Sequence, residues 1–273
     1  MKTKLIQGVQ VPELGLGTYK LIGNQGEQTI KSALRLGYRH IDTAQEYRNE
    51  AEVGRAVKSS HITREHLFVT TKVERSLLEP EKLMLSVEAS LLKLQMDYVD
   101  LLLIHWPNAQ IPLNQTLEAM QILREQGKVV HIGVSNFPMR LLRQAIEDFS
   151  APIFCNQVEY HALLGQFDLL DYASEHDVMV TAYSPLAQGR LVDHPVLVEI
   201  ARKYNKTASQ VALKWLVEQE QVVAIPKATS EQHLLENLQA LNFELEDEDF
   251  YAIDDLDKDV RVVSPNFAPH WDD

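Results

Sequence analysis

The feature that most constrains this chain is an alternation. From residue 14 almost to the C-terminus, short apolar, β-branched runs are each followed by a helical pattern. The extended runs are 14–18, 39–43, 67–72, 99–105, 129–135, 153–159, 178–183 and 222–226, eight in all. Between them the apolar period lengthens from two to about 3.6 residues. Leu83, Val87, Leu91 and Leu94 share one helix face, and Leu141, Leu142, Ala145 and Ile146 another. Strands this apolar need cover on both faces, the situation of parallel strands joined by crossover helices. Eight such units either close into a (β/α)8 TIM barrel or open into a doubly wound sheet. The 273 residues match the roughly 250 of one barrel, and no interior linker breaks the pattern. The expected architecture is therefore an α/β barrel, one domain over 1–273.

Local signals refine this outline. Residues 5–11 around Gly8 predict a β-hairpin ahead of the barrel. Asn49 with Glu52 resembles a helix-capping pair, Pro138 suits a first helical turn, and Gly127 suits a helix stop. The crossover before the eighth run holds two helical segments, 196–204 and 208–218. After that run come extra C-terminal helices near 231–240 and 247–256. The tail 257–273 has no helical period but carries Pro265, Phe267, Pro269 and Trp271.

A formal net charge of -13 argues against a nucleic-acid or anionic-membrane surface, since both require basic patches. The acidic excess in 244–259 is expected to be a solvated helical surface. One cysteine, Cys155, leaves no internal disulfide and fits a reducing compartment. Set in the apolar run I-F-C-N, it is expected to be a buried structural thiol. The N-terminus lacks a signal-peptide apolar core, and no apolar run approaches a membrane span. A soluble cytoplasmic monomer is expected, with no strongly apolar helix face to bury in a partner.

In a barrel, chemistry collects at the C-terminal ends of strands. Those ends read Asp42, Lys72, His105, Ser135 with Asn136, Gln157, Tyr183 and Lys227. Each has a plainer explanation alone: a helix cap for Ser135 or Asn136, half-exposed strand residues for Gln157 and Tyr183, a core histidine for His105. Seven polar strand ends in register exceed what capping supplies. The ten histidines show no metal-binding spacing, and no G-x-S-x-G nucleophile turn exists. Gly15-Leu16-Gly17-Thr18 is not a dinucleotide fingerprint, because position 20 is Lys.

Asp42, Tyr47, Lys72 and His105 remain. A tyrosine of pKa near 10 is a weak acid at neutral pH. A nearby lysine cation is expected to favour its phenolate form, with an aspartate orienting the lysine. Such a tyrosine can protonate a carbonyl oxygen as charge develops there, help worth about 10²–10⁴ in rate. A histidine on the same rim can orient the carbonyl. Nothing in the set is a good nucleophile, so it asks for a hydride source. An isomerase using Lys72 and Asp42 is a competing reading.

These residues lie in blocks that resemble the aldo-keto reductases: G-Y-R-H-I-D-T-A-Q-E-Y-R-N-E, V-T-T-K, D-Y-V-D-L-L-L-I-H-W-P, I-G-V-S-N-F, N-Q-V-E-Y-H, A-Y-S-P-L and I-P-K, in order along nearly the whole chain. The resemblance implies that Tyr47 is the proton donor, that Asp42 and Lys72 tune it, and that His105 positions the substrate carbonyl. It implies NADPH bound across the barrel mouth without a Rossmann domain. Ser135, Asn136 and Gln157 would hold the nicotinamide carboxamide, and Tyr183 would stack on the ring. Gly17, Thr18, Asp42, Ser184 and Leu186 would complete that end. Lys227 and Ser230 would meet a phosphate, and His233, Glu236 and Asn237 the adenosine.

The chain departs from the family where Ala228 and His233 replace a common Ser and Arg. Losing a bidentate Arg predicts a weakened NADPH preference with some use of NADH. Tyr19, His105 and Trp106, with Phe267 and Trp271, are expected to wall the substrate pocket. The ending R-V-V-S-P-N-F-A-P-H-W-D-D resembles the bacterial 2,5-diketogluconate and methylglyoxal reductase branch. That implies small polar aldehydes, ketones or α-dicarbonyls as substrates. The competing reading from another class is a catalytically idle nicotinamide-binding sensor or partner subunit on the same fold.

Overall fold

Side chains alternate across a strand, so in a closed barrel every second residue points inward. The structure, a computed structural model, describes residues 1–271. Eight strands line up in sequence order: β3 (Leu16–Gly17), β4 (His40–Asp42), β5 (Phe68–Val73), β6 (Val99–Ile104), β7 (Val129–Ser135), β8 (Ile153–Glu159), β9 (Met179–Tyr183) and β10 (Val222–Ala224). Every neighbouring pair is parallel. The ends of the sheet meet: Leu14 bridges Ala224, the Gly15 N–H donates to Ala224 O at 2.8 Å, and the Gly17 N–H donates to Pro226 O at 3.1 Å. The sheet is a closed (β/α)8 barrel, and its strands lie within or at the edges of the eight extended runs. Closure explains Gly17, because a Cβ there would stand 2.6 Å from the Ile225 carbonyl oxygen.

Among the described residues ten α-helices accompany the strands: α1 (Gly23–Leu36), α2 (Glu50–Ser60), α3 (Pro80–Leu94), α4 (Leu113–Glu125), α5 (Met139–Arg143), α6 (Phe167–Glu175), α7 (Pro195–Tyr204), α8 (Ala208–Glu218), α9 (Glu231–Gln239) and α10 (Asp247–Asp254). Outward strand residues such as Val69, Leu102, Ile132 and Val180 pack with buried helix faces such as Leu83, Val87, Leu91 and Leu94 of α3. Inward residues Phe68, Leu101, Leu103, Cys155, Met179 and Val223 form a separate interior cluster. A hairpin of β1 (Thr3–Ile6) and β2 (Val9–Pro12) adds Ile6 and Val11 to that cluster. Its two-residue turn, Gln7 at φ 45° and Gly8 at φ 79°, has the positive φ values that a tight hairpin favours. The hairpin plugs the end opposite the strand C-termini.

Three expectations change in detail. Asn49 precedes α2 but caps nothing. Its Nδ2 donates to the Thr18 and Leu21 carbonyls at 2.8 and 3.0 Å, and its Oδ1 accepts from Thr43 at 2.8 Å. Glu52 accepts from the Gly23 N–H at 3.1 Å, so the pair secures the loop from β3 to α1. The helix after Pro138 winds into a π-turn at Gln144–Asp148, which rotates its face and leaves Leu141 and Ile146 only partly buried. The acidic stretch is mostly solvated, but Asp249 is buried and accepts from Lys203 and Tyr204 at 2.6 and 2.7 Å. Cys155 is fully buried, and burial pushes its thiol up to about 12. No helix among the described residues is long and apolar enough to cross a membrane.

Candidate active site

The inward alternation that fills the barrel with apolar side chains changes character at the strand C-termini. Beyond the interior cluster, the inward positions at those ends are Asp42 on β4, Lys72 on β5, His105 after β6, Ser135 on β7, Gln157 on β8 and Tyr183 on β9. All border or underlie one cavity of about 840 Å³, also lined by Gly17, Thr18, Tyr19, Trp106, Leu186 and Lys227.

Lys72 is the centre of the floor. It is fully buried, and its Nζ donates to Asp42 Oδ1 at 2.5 Å and to the Thr43 carbonyl at 2.9 Å. The other Asp42 oxygen accepts from Gln157 Nε2 at 2.7 Å, so β4, β5 and β8 share one buried network. Lys72 Nζ also reaches the Tyr47 hydroxyl at 3.4 Å. Tyr47 closes a short 3-10 turn, Gln45–Tyr47, on the loop leaving β4. Its ring stands edge-on to His105, 5.6 Å between centroids, and 5.2 Å from Tyr19.

Burial first, then the charges of Asp42 and Glu46, hold the Tyr47 phenol well above its usual range. This corrects the expectation that Lys72 lowers it. Asp42 sits against Lys72, so the tyrosine faces a nearly neutral ion pair while losing water. Burial also lowers Lys72, against the pull of Asp42. Tyr47 is therefore a protonated acid throughout the neutral range. His105 is pushed below its usual value by burial, and Glu46 only partly opposes this. Its Nδ1 lies 2.9 Å from Glu46 Oε2, a close polar contact without the alignment of a hydrogen bond.

Beside this floor, Tyr183 donates to Asn136 Oδ1 at 2.7 Å, which fixes its ring at the cavity wall. Asn136, at φ 61°, donates through Nδ2 to the His105 carbonyl at 2.9 Å. The Ser135 hydroxyl donates to the Gln157 carbonyl at 2.8 Å. Ser184 follows Tyr183 into the lining. Ser230 is the N-cap of α9 and accepts from the His233 N–H. Ser230 and, on α9, His233, Glu236 and Asn237 lie past Lys227 and outside the cavity lining; Asn237 is buried and Glu236 accepts from Gln232. On the other side Trp106 packs edge-on against Phe267 and Trp271, at 5.5 and 6.1 Å.

Over residues 13–258 the chain matches the Aldo/keto reductase family. This chain belongs to the aldo/keto reductases. It is 43% identical to the glyoxal reductase of Bacillus subtilis over 264 residues, 96% of this chain and 95% of that protein. It is 40% identical to the methylglyoxal reductase DkgB of Escherichia coli O157:H7 over 266 residues, 96% and 99% of the two chains. A crystal structure described as a 2,5-diketo-D-gluconic acid reductase B superposes with a TM-score of 0.97 at 41% identity, covering 100% of this chain and 98% of that one. The chain is thus an oxidoreductase of carbonyl compounds on this reductase barrel.

Two carboxylates at or behind the site escaped the sequence reading. Glu46, adjacent to Tyr47, reaches the cavity and His105. Its signal was a carboxylate placed directly before the tyrosine in a polar turn. Glu159 is fully buried, and its two oxygens accept from the Val262 and Val263 N–H groups at 2.7 Å each. Those tail residues, with Ser264 and Pro265, line the cavity. No local pattern could have joined them.

Proposed function

We propose that this aldo/keto reductase transfers a hydride from NADPH to the carbonyl carbon of small aldehydes, ketones or α-dicarbonyls, with Tyr47 giving a proton to the carbonyl oxygen. The observation that carries the reading is the buried Gln157–Asp42–Lys72 network delivered to the Tyr47 hydroxyl at the cavity floor. A bound nicotinamide supplies the hydride. Tyr47 holds its proton until negative charge develops on the substrate oxygen. Lys72, donating toward that hydroxyl, then stabilises the phenolate as it forms. Asp42 and the Thr43 carbonyl keep the ammonium aimed. His105 bounds the carbonyl's approach, and Tyr19 and Trp106 wall the substrate.

The residues present suit the cofactor. The tethered Tyr183 ring offers a stacking face at the cavity wall, with Ser135, Asn136 and Gln157 at its edge. Gly17, Thr18, Ser184 and Leu186 continue that lining toward Lys227, an exposed cation before the capped start of α9. Lys227 and the N-cap Ser230 would meet a phosphate, and His233, Glu236 and Asn237 on α9 would take the adenosine end. With His233 and Ala228 in place, NADPH is preferred and NADH retains some activity. The protein acts as a cytoplasmic monomer on this reading.

The test is cofactor consumption with methylglyoxal, comparing the native chain with Tyr47→Phe. The kcat falls at least a hundredfold in the variant while NADPH still binds in a fluorescence titration. Unchanged turnover overturns the acid assignment, and cofactor binding without turnover in the native chain favours an idle binder. The same assay with NADH gives a kcat/KM ratio below about a thousand, roughly 4 kcal/mol.

A further inference from the structure

The floor holds two carboxylates, Asp42 and Glu46, but only one buried cation, and that cation belongs to Asp42. We propose that Glu46 makes this pocket select uncharged carbonyl compounds over carboxylate-bearing ones, an inference that rests on the carbonyl-reductase reading above. Glu46 occupies the turn directly before Tyr47, its side chain is 33% exposed, and it lines the cavity with Tyr47, His105 and Trp106. Its nearest polar partner is His105, which burial holds below its usual pKa and hence neutral at pH 7. That contact, with the more distant Lys72 charge and against burial, keeps Glu46 below the usual carboxylate range, so it is ionised. The negative charge at the reacting end is not cancelled.

The other cations nearby do not answer it. Lys72 is fully buried and bound to Asp42 at 2.5 Å. Lys20 and Lys227 border the cavity but are exposed, Lys20 at the rim over Tyr19 and Lys227 on the side proposed for the cofactor. Arg75 donates to the Pro107 carbonyl and lies over Phe267, and Arg261 lies over Trp271; neither lines the cavity. A substrate whose carbonyl reaches Tyr47 therefore brings its neighbouring groups beside a carboxylate whose close partner is a neutral histidine. Like charges held in one partly dry pocket repel enough, relative to a neutral group, to cost roughly ten- to a hundredfold in kcat/KM. A neutral α-dicarbonyl of the methylglyoxal type avoids this cost, and a sugar acid of the diketogluconate type does not. The overall charge of -13 slows anion encounter in the same direction.

Glyoxylate and methyl glyoxylate test the idea, since they share one aldehyde and differ by one charge. The measured quantity is the glyoxylate-to-ester ratio of kcat/KM in the native chain, Glu46→Gln and Glu46→Asp. Any disturbance of His105 or Tyr47 strikes both compounds, so the ratio isolates charge. Glu46→Gln raises the ratio tenfold or more, and Glu46→Asp leaves it within about threefold of native. A ratio that moves less than threefold in Glu46→Gln, or that rises equally in Glu46→Asp, overturns the charge selection alone. A native chain that consumes no NADPH with the methyl ester or with methylglyoxal overturns carbonyl reduction itself.

Discussion

Lys72 and Asp42 are a fully buried ion pair, and such pairs behave differently when one member or both are removed. Lys72→Met leaves Asp42 with only Gln157 for a partner inside the barrel. An uncompensated buried charge of this kind costs about 3–5 kcal/mol. Asp42→Asn removes the opposite charge while keeping an acceptor for Gln157. The double variant Asp42→Asn/Lys72→Met should recover at least about 2 kcal/mol of the Lys72→Met loss in urea unfolding. Simple additivity of the two single losses would show that the pair is not coupled. Activity should not recover with stability, because no cation then faces Tyr47. The residue types of this set were legible in the sequence as polar groups closing apolar strands. The balance of forces on Tyr47 was not. Which of burial, Asp42 and Lys72 dominates depends on packing around the hydroxyl, and strand-end spacing does not encode it.

At the scale of elements, the tail after α10 is held by β8. Glu159 ends that strand and grips two successive backbone N–H groups, while His161 Nε2 lies 3.0 Å from the same carboxylate. The segment so held brings Val262 to Pro265 to the cavity and Phe267 to Trp106. Glu159→Gln replaces one of the two accepting oxygens with an N–H donor, turning a bond into a clash of donors worth about 1–3 kcal/mol. The Val262 and Val263 amides should then exchange with solvent at least tenfold faster, and KM for the carbonyl substrate should rise severalfold with cofactor affinity little changed. Exchange at the native rate would show that other contacts hold the tail. The strands and most helices were legible because apolar period is a local property, as the buried face of α3 shows. Asn49, which ties β3 to α1, and Glu159, whose partners lie more than a hundred residues on, act through contacts that only the closed barrel creates. The π-turn after Arg143 likewise left the apolar spacing unchanged in sequence while rotating the face.

For the whole molecule, the interior of the barrel sets the response to acid. His40 is buried beside Phe68, packed against Gly15, and burial pushes it down to about 4. Burial lowers His131 and His105 as well. An unfolded histidine takes its proton near pH 6.5. Between about 6.5 and 4, the unfolded chain therefore binds protons that the native barrel refuses. Stability must fall as pH falls through that window and be fully retained above it. For His40 alone, the loss from pH 7 to 4.5 is about 2–3 kcal/mol. Acid also relieves repulsion among the surface carboxylates behind the charge of -13, which works the other way. That repulsion is screened by salt, whereas a histidine sealed in the barrel is not. Urea unfolding in 0.3 M salt at pH 7 and 4.5 should show the loss in the native chain. His40→Phe, which keeps a ring beside Phe68, should be shallower by about 2–3 kcal/mol across the same interval, whatever its stability at pH 7. Equal slopes in the two proteins would place the acid sensitivity elsewhere than His40.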